Sequence, residues 1–154
     1  MTRLAITERP QVATYEDLCA VPDGLRVELI DGELIVSPRP ATPHANAGGD
    51  IFSDLRVQFS RSRPPGGWWI LYEPELHMGR PEPRSLVLVP DLAGWRRERM
   101  PRLPSVAGLT MVPDWIAEIL SPRWERHARI RKADLYARLG VSWLWIVNPT
   151  EETL

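Results

Sequence analysis

The feature that most constrains the fold is a short apolar run that contains a single acid. In residues 115–120, Trp-Ile-Ala-Glu-Ile-Leu, both faces of an extended strand are apolar except at Glu118. Apolar residues on both faces are typical of a central strand that is covered on each side. A carboxylate there is costly unless it is neutralised, paired or bound to a metal ion. Taken alone, Glu118 favours a salt bridge to one of the many arginines, because structural ion pairs are common.

A second segment predicts an N-terminal β-hairpin. Two apolar-rich runs flank Asp31-Gly32, a pair suited to the positive φ angles of a type I′ turn. Glu28, on the first strand, is either a partly buried acid or an edge-strand residue in solvent. Glu33, beside the turn, is expected to face solvent. The strands are predicted at about 25–30 and 33–37.

The rest of the chain alternates helices and strands. Thr14 and Asp17 resemble a capping box, which predicts a short first helix. Thr42 and Pro43 resemble the N-cap and first-turn proline of a second helix. Such mixed elements favour an α/β (α+β) domain with a central sheet and packed helices. Strands are also predicted in 68–76, 86–92 and 141–149, a helix in 124–139, and mostly loop in 96–112.

Asp91 is the acid best placed to join Glu118. It follows the apolar run 86–89 and Pro90, and at such a strand end an Asp is often only a turn former. Asp114 has the same Pro-Asp context but lies on the strand of Glu118, ~13 Å away by strand rise. Metal ligands must converge within a few ångströms of one ion. Asp91, on a different strand, can come alongside Glu118, whereas Asp114 cannot without a sharp bend.

Lys132 completes a candidate catalytic set. It is the one lysine among 19 basic residues and belongs to the helix that follows the Glu118 strand. Two carboxylates on neighbouring strands can hold Mg²⁺, which prefers oxygen ligands and keeps several waters. A lysine beside such a water can orient it and stabilise the negative charge that develops during hydrolysis.

Composition sets wider limits. A length of 154 residues, with 44% hydrophobic and 25% charged residues, is typical of one globular domain, expected to span 1–154. No apolar run approaches the ~20 residues of a membrane span, and the single Cys19 cannot form an internal disulfide, so a cytoplasmic location is expected. The net charge of -1 argues against binding nucleic acid by bulk charge. Two arginine clusters, at 96–102 and 123–131, are most simply solvated faces.

These residues resemble the Uma-type family of restriction endonuclease-like proteins, a branch of the PD-(D/E)XK nuclease superfamily. The matching stretches are VELIDGELIVSP, PHANAGGDIFSDL, LVLVPDL, PDWIAEILSP and KADLYARLGVSWLWIVNP, which together cover about 14–149. The resemblance implies a restriction-endonuclease-like fold, a mixed sheet flanked by helices. It carries the metal-binding acids onto Asp91 and Glu118 and the catalytic lysine onto Lys132. Glu28 matches a family acid that completes the site. His44 matches a histidine at the start of the second helix, and the alternative interpretation of His44 is a helix N-terminal residue without a chemical role.

The chain departs from the family pattern in several places. The lysine of the superfamily usually stands two residues after the Glu, where this chain has Leu120. After the Ser-Pro at 121–122, where family members often have Ser or Thr, this chain has Arg123 and Trp124. The Asp that often stands four residues before the lysine is replaced by Ala128, and the Asp before the last proline is replaced by Asn148. Family chains also usually continue through further strands, so either a C-terminal part is missing here or the protein is a shortened relative.

Three functions compete on this basis. The first is an endonuclease that hydrolyses DNA with Mg²⁺ or Mn²⁺. If such an enzyme cuts both strands of a duplex, a symmetric homodimer is favoured. The second is an inactive nuclease fold that binds DNA or protein through its arginine clusters and through tryptophans expected to be exposed. In the third, Glu118 only forms a structural ion pair with an arginine or with Lys132, and the protein has a function unrelated to nucleases. The tryptophans are Trp68, Trp95 and Trp124.

Overall fold

The computed structural model describes residues 12–37, 39–60, 67–79, 85–121 and 126–150, with side chains in the last range from residue 130 onward. None of its helices is long and apolar enough to cross a membrane, within the residues so described. Arg123, Trp124 and Ala128, for which the sequence analysis made predictions, lie outside the described side chains.

Three α-helices are described. Helix α1 spans Tyr15–Cys19 and begins with the predicted capping box, in which Thr14 and Asp17 exchange hydrogen bonds. Helix α2 spans Thr42–Leu55 and continues into a π-helical turn, Arg56–Ser60. The predicted N-cap of α2 is wrong, because Ala41 occupies that position and no side chain caps the helix. Helix α3 spans Arg126–Leu139 and is followed by Gly140, at a φ of 86°.

Nine strands in the described ranges form two mixed sheets. The first has the order β2-β1-β5-β4-β7, and the second has the order β3-β6-β8-β9. The predicted α+β class and the N-terminal hairpin are confirmed. The strands are β1 (Arg26–Ile30), β2 (Glu33–Ser37), β3 (Trp68–Tyr72), β4 (Glu75–His77), β5 (Val87–Leu88), β6 (Leu92–Arg96), β7 (Gly108–Leu109), β8 (Trp115–Ile119) and β9 (Trp143–Val147).

Two segments predicted as continuous strands are each divided between the sheets. The run 68–76 breaks after β3 at Glu73, whose φ of 44° no strand can accommodate, and resumes as β4 in the other sheet. The run 86–92 breaks between β5 and β6 at Pro90, which has no N–H to donate to a sheet. The two breaks are joined, because Glu73 N donates to Asp91 O at 2.9 Å. The chain therefore crosses between the sheets at the position of Asp91.

The core has two parts, and a long helix packs against each. Leu135 and Tyr136 of α3 belong to the larger cluster, around Trp95 and Ile116. Ile51, Phe52 and Leu55 of α2 pack against the smaller one, around Ile70 and Trp115. Trp95, expected to be exposed, is fully buried, and its indole N–H donates to Met111 O at 2.9 Å. The helices are thereby held against the strands that carry the acids.

Candidate active site

Glu118 and Asp91 lie side by side at the crossing between the sheets. Glu118 is on β8, which is paired on one side with β6 and on the other with β9, and it is only 1% exposed. Asp91 directly precedes β6, whose Leu92 pairs with Ala117 of β8. The Asp91 Oδ2 atom accepts a 2.6 Å hydrogen bond from Ile119 N. The sheet register thus brings together two acids that are far apart in the sequence.

The sequence left two alternatives for Glu28, a partly buried acid or an exposed residue of an edge strand, and the structure shows a buried acid. Its strand, β1, lies between β2 and β5 in the first sheet, and its side chain is 2% exposed. Its Oε1 atom accepts a 2.7 Å hydrogen bond from Val89 N, two residues before Asp91. Glu33, by contrast, is exposed and pairs with Arg131 at 3.0 Å.

Lys132 connects the acids of the two sheets. Its Nζ atom lies 2.9 Å from Glu28 Oε1 and 2.7 Å from Glu118 Oε1, and the side chain is buried. One turn later on α3, Tyr136 donates its hydroxyl to the same Glu118 oxygen at 2.5 Å. Tyr136 was not among the predicted site residues, although its spacing of four residues from Lys132 places both on one helix face.

Arg26 is the second residue that the sequence analysis missed. Its Nη1 atom lies 2.5 Å from Asp91 Oδ1, and its Nη2 atom lies 3.9 Å from Glu118 Oε2. Nη2 also donates to Val89 O, and Nη1 lies 3.6 Å from Glu73 Oε1. The sequence feature that could have identified Arg26 is its position two residues before Glu28, because residues two apart share one face of a strand. The guanidinium therefore occupies the space between the two acids.

His44 contacts Asp91 from helix α2. Its Nε2 atom lies 3.2 Å from Asp91 Oδ2, and the side chain is buried. Its Nδ1 atom has no hydrogen-bond partner among the residues that the structure describes. The approach depends on Gly48, one turn later, where an added Cβ would meet Ile119 Cδ1 at 3.1 Å. A glycine on this face lets α2 come close to β8.

The two central carboxyl groups have opposite electrostatic environments. Burial alone would raise the pKa of Asp91, but the His44 hydrogen bond, the Arg26 charge and the Ile119 N–H together lower this pKa to about 2. Burial raises the pKa of Glu118, which the charge of Lys132 opposes and the charge of Asp91 reinforces. Burial is also the main cause that raises the pKa of Tyr136 well above its ordinary value. Asp91 is thus firmly ionised, while the negative charge of Glu118 depends on the cations around it.

Asp114 does not belong to this group. Its Oδ2 atom accepts a 2.9 Å hydrogen bond from Arg96 N, and its Oδ1 atom lies 2.7 Å from Arg99 Nη1. Its carboxylate holds the start of the irregular segment after β6 against β8. The Pro-Asp dipeptide at 113–114 therefore has a structural role, whereas the one at 90–91 supplies an acid of the cluster.

The chemistry of Asp91 and Glu118 fits a divalent cation. No group of three or more His, Cys, Asp or Glu side chains suited to a metal was found in the described part of the chain. Mg²⁺, however, is usually held by one or two carboxylates together with waters and substrate phosphate oxygens. Glu118 Oε2 is buried without a hydrogen-bond partner among the described residues, and Arg26 Nη2 lies 3.9 Å from it, so this oxygen could accept a ligand in place of Arg26.

A cleft of about 740 Å³ borders the acids. Arg26, His44, Glu73 and Asp91 are among the residues that line it. Glu118 and Lys132 are only 1% and 3% exposed. Arg26 lines the cleft and also lies 3.9 Å from Glu118, so its side chain links the cleft to the buried acid.

The structure is an α+β fold in which buried acids from two mixed sheets meet beside one cleft. The chain belongs to the Uma2 family, whose description is "Putative restriction endonuclease" and which matches residues 12–154. The fold is similar to that in a crystal structure from Anabaena variabilis, described as "a putative nuclease belonging to DUF820". The two share 21% sequence identity and a TM-score of 0.71 over 90% of this chain and 75% of that chain. The comparison with curated proteins returned no match.

Proposed function

We propose that this protein is a metal-dependent endonuclease that hydrolyses DNA phosphodiester bonds. Asp91 and Glu118 would hold Mg²⁺ or Mn²⁺, and Lys132 would assist the attacking water. The observation that carries the proposal is the position of Lys132 Nζ, within 2.9 Å of two buried acids. Burying several charges together is costly for a fold, and such clusters beside a cleft are characteristic of functional sites. Family membership supports the nuclease activity and, with it, DNA as the substrate.

The roles follow from the contacts. A bound Mg²⁺ would neutralise charge on a phosphate oxygen and make a nearby water a better nucleophile. The Lys132 ammonium would orient that water and stabilise the charge that develops on the phosphate. Glu28 shares the ammonium with Glu118 and so holds it in place. Tyr136 fixes one oxygen of Glu118, and the other oxygen, which accepts no hydrogen bond from the described residues, would bind the metal.

The binding-module alternative finds less support in the arginine cluster at 96–102. Arg97 lies over the Trp69 ring at 4.0 Å and donates to Ser60 O at 2.7 Å. Arg99 pairs with Asp114 at 2.7 Å. Two members of the cluster are therefore engaged in contacts within the protein. The structural-pairing alternative predicts the same Lys132–Glu118 contact, so an activity measurement has to separate it from the nuclease.

The decisive experiment is cleavage of supercoiled plasmid with Mg²⁺ or Mn²⁺. We expect wild type to nick the plasmid, and Glu118→Gln and Lys132→Ala, purified in parallel, to lose about 100-fold or more of the rate. Glu33→Gln, which changes an exposed acid of the hairpin, is the matched control and should retain activity. Folding of each variant is checked by circular dichroism.

Two outcomes would contradict the proposal. Equal cleavage by all four proteins would indicate a contaminating nuclease. No cleavage by folded wild type, together with DNA binding in a gel-shift assay, would favour the binding module.

A homodimer that cuts both strands is part of the proposal, and light scattering during gel filtration measures its mass.

A further inference from the structure

The position of Arg26 conflicts with simultaneous metal binding by Asp91 and Glu118. Mg²⁺ lies about 2.0–2.1 Å from its oxygen ligands and requires nearly octahedral geometry. The Arg26 Nη1 atom is 2.5 Å from Asp91 Oδ1, and Nη2 is 3.9 Å from Glu118 Oε2. A metal ion held by these two carboxylates would compete with the guanidinium for the same oxygens. One cation therefore has to displace the other.

A second carboxylate, that of Glu73, is close enough to form an alternative ion pair with Arg26. Glu73 Oε1 lies 3.6 Å from Nη1, and its side chain is 34% exposed on the wall of the cleft. Glu73 is also held close to Asp91, because its N–H donates to Asp91 O. A small rotation of the long Arg26 side chain towards the cleft would exchange the ion pair with Asp91 for one with Glu73.

We propose that Arg26 is a built-in counter-cation that competes with the metal for Asp91 and Glu118 and moves towards Glu73 when the metal binds. This proposal rests on the proposed nuclease function and concerns the regulation of the same site. With the metal absent, Arg26 keeps the two acids paired. With the metal present, its guanidinium faces the cleft, where its planar fork suits bidentate binding of a phosphate.

The exchange couples metal binding to substrate binding. A phosphate that binds the outward guanidinium stabilises the conformation that leaves the acids free for the metal. Because coupling between two binding sites is reciprocal, the metal must in turn strengthen phosphate binding. The site would therefore bind metal weakly without substrate and strongly with it.

The test is Mn²⁺ affinity in the absence of DNA, measured by electron paramagnetic resonance of the free ion. We expect Arg26→Gln to bind Mn²⁺ on the order of tenfold or more tightly than wild type, because a competing charge in contact with the ligands is removed. Arg26→Lys should also bind more tightly, because a single ammonium cannot bridge both acids. It also keeps a charge beside Asp91 if Arg26→Gln fails to fold. Arg138→Gln, an exposed arginine that contacts its own helix, is the charge-matched control and should match wild type.

Glu73→Gln separates displacement from a general effect of charge. If Glu73 acts by receiving Arg26, its loss should weaken Mn²⁺ binding several-fold in wild type and have little effect in the Arg26→Gln background. Equal weakening in both backgrounds would mean that Glu73 acts on the metal directly and would overturn the exchange.

The remaining outcomes distinguish this proposal from the proposed function. Unchanged or weaker Mn²⁺ binding by both Arg26 variants, with binding abolished by Glu118→Gln, would overturn the counter-cation and leave the metal site standing. The absence of binding in wild type and in both Arg26 variants would overturn the metal site itself.

Discussion

Tyr136 shows how a single buried hydroxyl supports the acid cluster. It donates to Glu118 Oε1 at 2.5 Å, and both side chains are buried. We expect Tyr136→Phe to lower the free energy of unfolding by about 1–3 kcal/mol, because a buried charged acceptor loses a donor. Urea denaturation measures the change. Tyr72→Phe, at a partly exposed tyrosine, is the control and should stay within about 0.5 kcal/mol of wild type. A loss no larger than that of the control would show that Tyr136 does not support Glu118.

Asp91 makes the stability of the protein depend on acid pH. Burial opposes ionisation, but His44, Arg26 and the Ile119 N–H lower its pKa from 3.8 to about 2. A lowered folded-state pKa contributes stability above the unfolded pKa, and that contribution is lost as the pH falls through the folded value. We expect Asp91→Asn to cost about 3–5 kcal/mol at neutral pH, because it breaks a buried ion pair.

The same variant tests whether the contribution of Asp91 to the free energy of unfolding falls at acid pH. The stability difference between wild type and Asp91→Asn should shrink as the pH falls from about 4 towards about 2, as the folded-state carboxylate becomes protonated. Denaturant unfolding at a series of pH values measures this difference. A difference that stays constant across that range would contradict the lowered pKa of Asp91.

The sequence indicated four of the buried charged residues and offered Lys132 or an arginine as a partner of Glu118, but it identified neither Arg26 nor Tyr136. Glu118 and Lys132 stood out because an acid in an apolar strand and a lone lysine are chemically unusual. Arg26 and Tyr136 did not stand out, since one is among many arginines and the other fits an ordinary helix face. Their contacts depend on long side chains reaching across elements, which local patterns do not encode.

At the level of elements, helix α2 offers a direct test of why it carries two adjacent glycines. A Cβ added at Gly48 would meet Ile119 Cδ1 at 3.1 Å, whereas one added at Gly49 would meet nothing within 4 Å. We expect Gly49→Ala to raise the free energy of unfolding by about 0.5–1 kcal/mol, because alanine favours a helix interior. Gly48→Ala should stabilise less or destabilise, because Ile119 has to move. Thermal and urea unfolding compare the two, and an equal gain at both would contradict close packing of α2 on β8.

Element boundaries were predicted best where a local signal exists. The Asp31-Gly32 turn fixed the hairpin, and Gly140 ended α3, because both glycines have positive φ angles. The strand breaks at Glu73 and Pro90 were missed, since each lies inside an apolar run that reads as one strand. Only the assignment of each half to a different sheet reveals the break.

For the whole molecule, the proposed metal site predicts that a divalent cation stabilises the fold. A ligand that binds only the folded state adds about 2.7 kcal/mol at 100 times its Kd. For a chain of this size, that raises Tm by roughly 5–10 °C. We expect Mn²⁺ to produce such a shift in wild type, and Glu118→Gln to lose it.

Asp114→Asn is the matched control for this measurement. It removes another buried acid, whose partners are Arg96 and Arg99. Its starting Tm should fall, but the shift on addition of Mn²⁺ should remain. A shift that Asp114→Asn loses and Glu118→Gln keeps would place the metal elsewhere in the protein.

The sequence by itself determined the hairpin, the buried strand β8, the helix α3 and the acids and lysine that belong together. The elements follow from periodicity and turn chemistry, and Glu118 from the cost of burying charge, all of which act within a few residues. The places of Glu28 and Lys132 in the site were implied by the resemblance to the family. The tertiary structure alone decided that the strands divide between two sheets and that Arg26 lies between Asp91 and Glu118. Those features depend on the register of strands distant in the chain, because only that register sets which side chains meet.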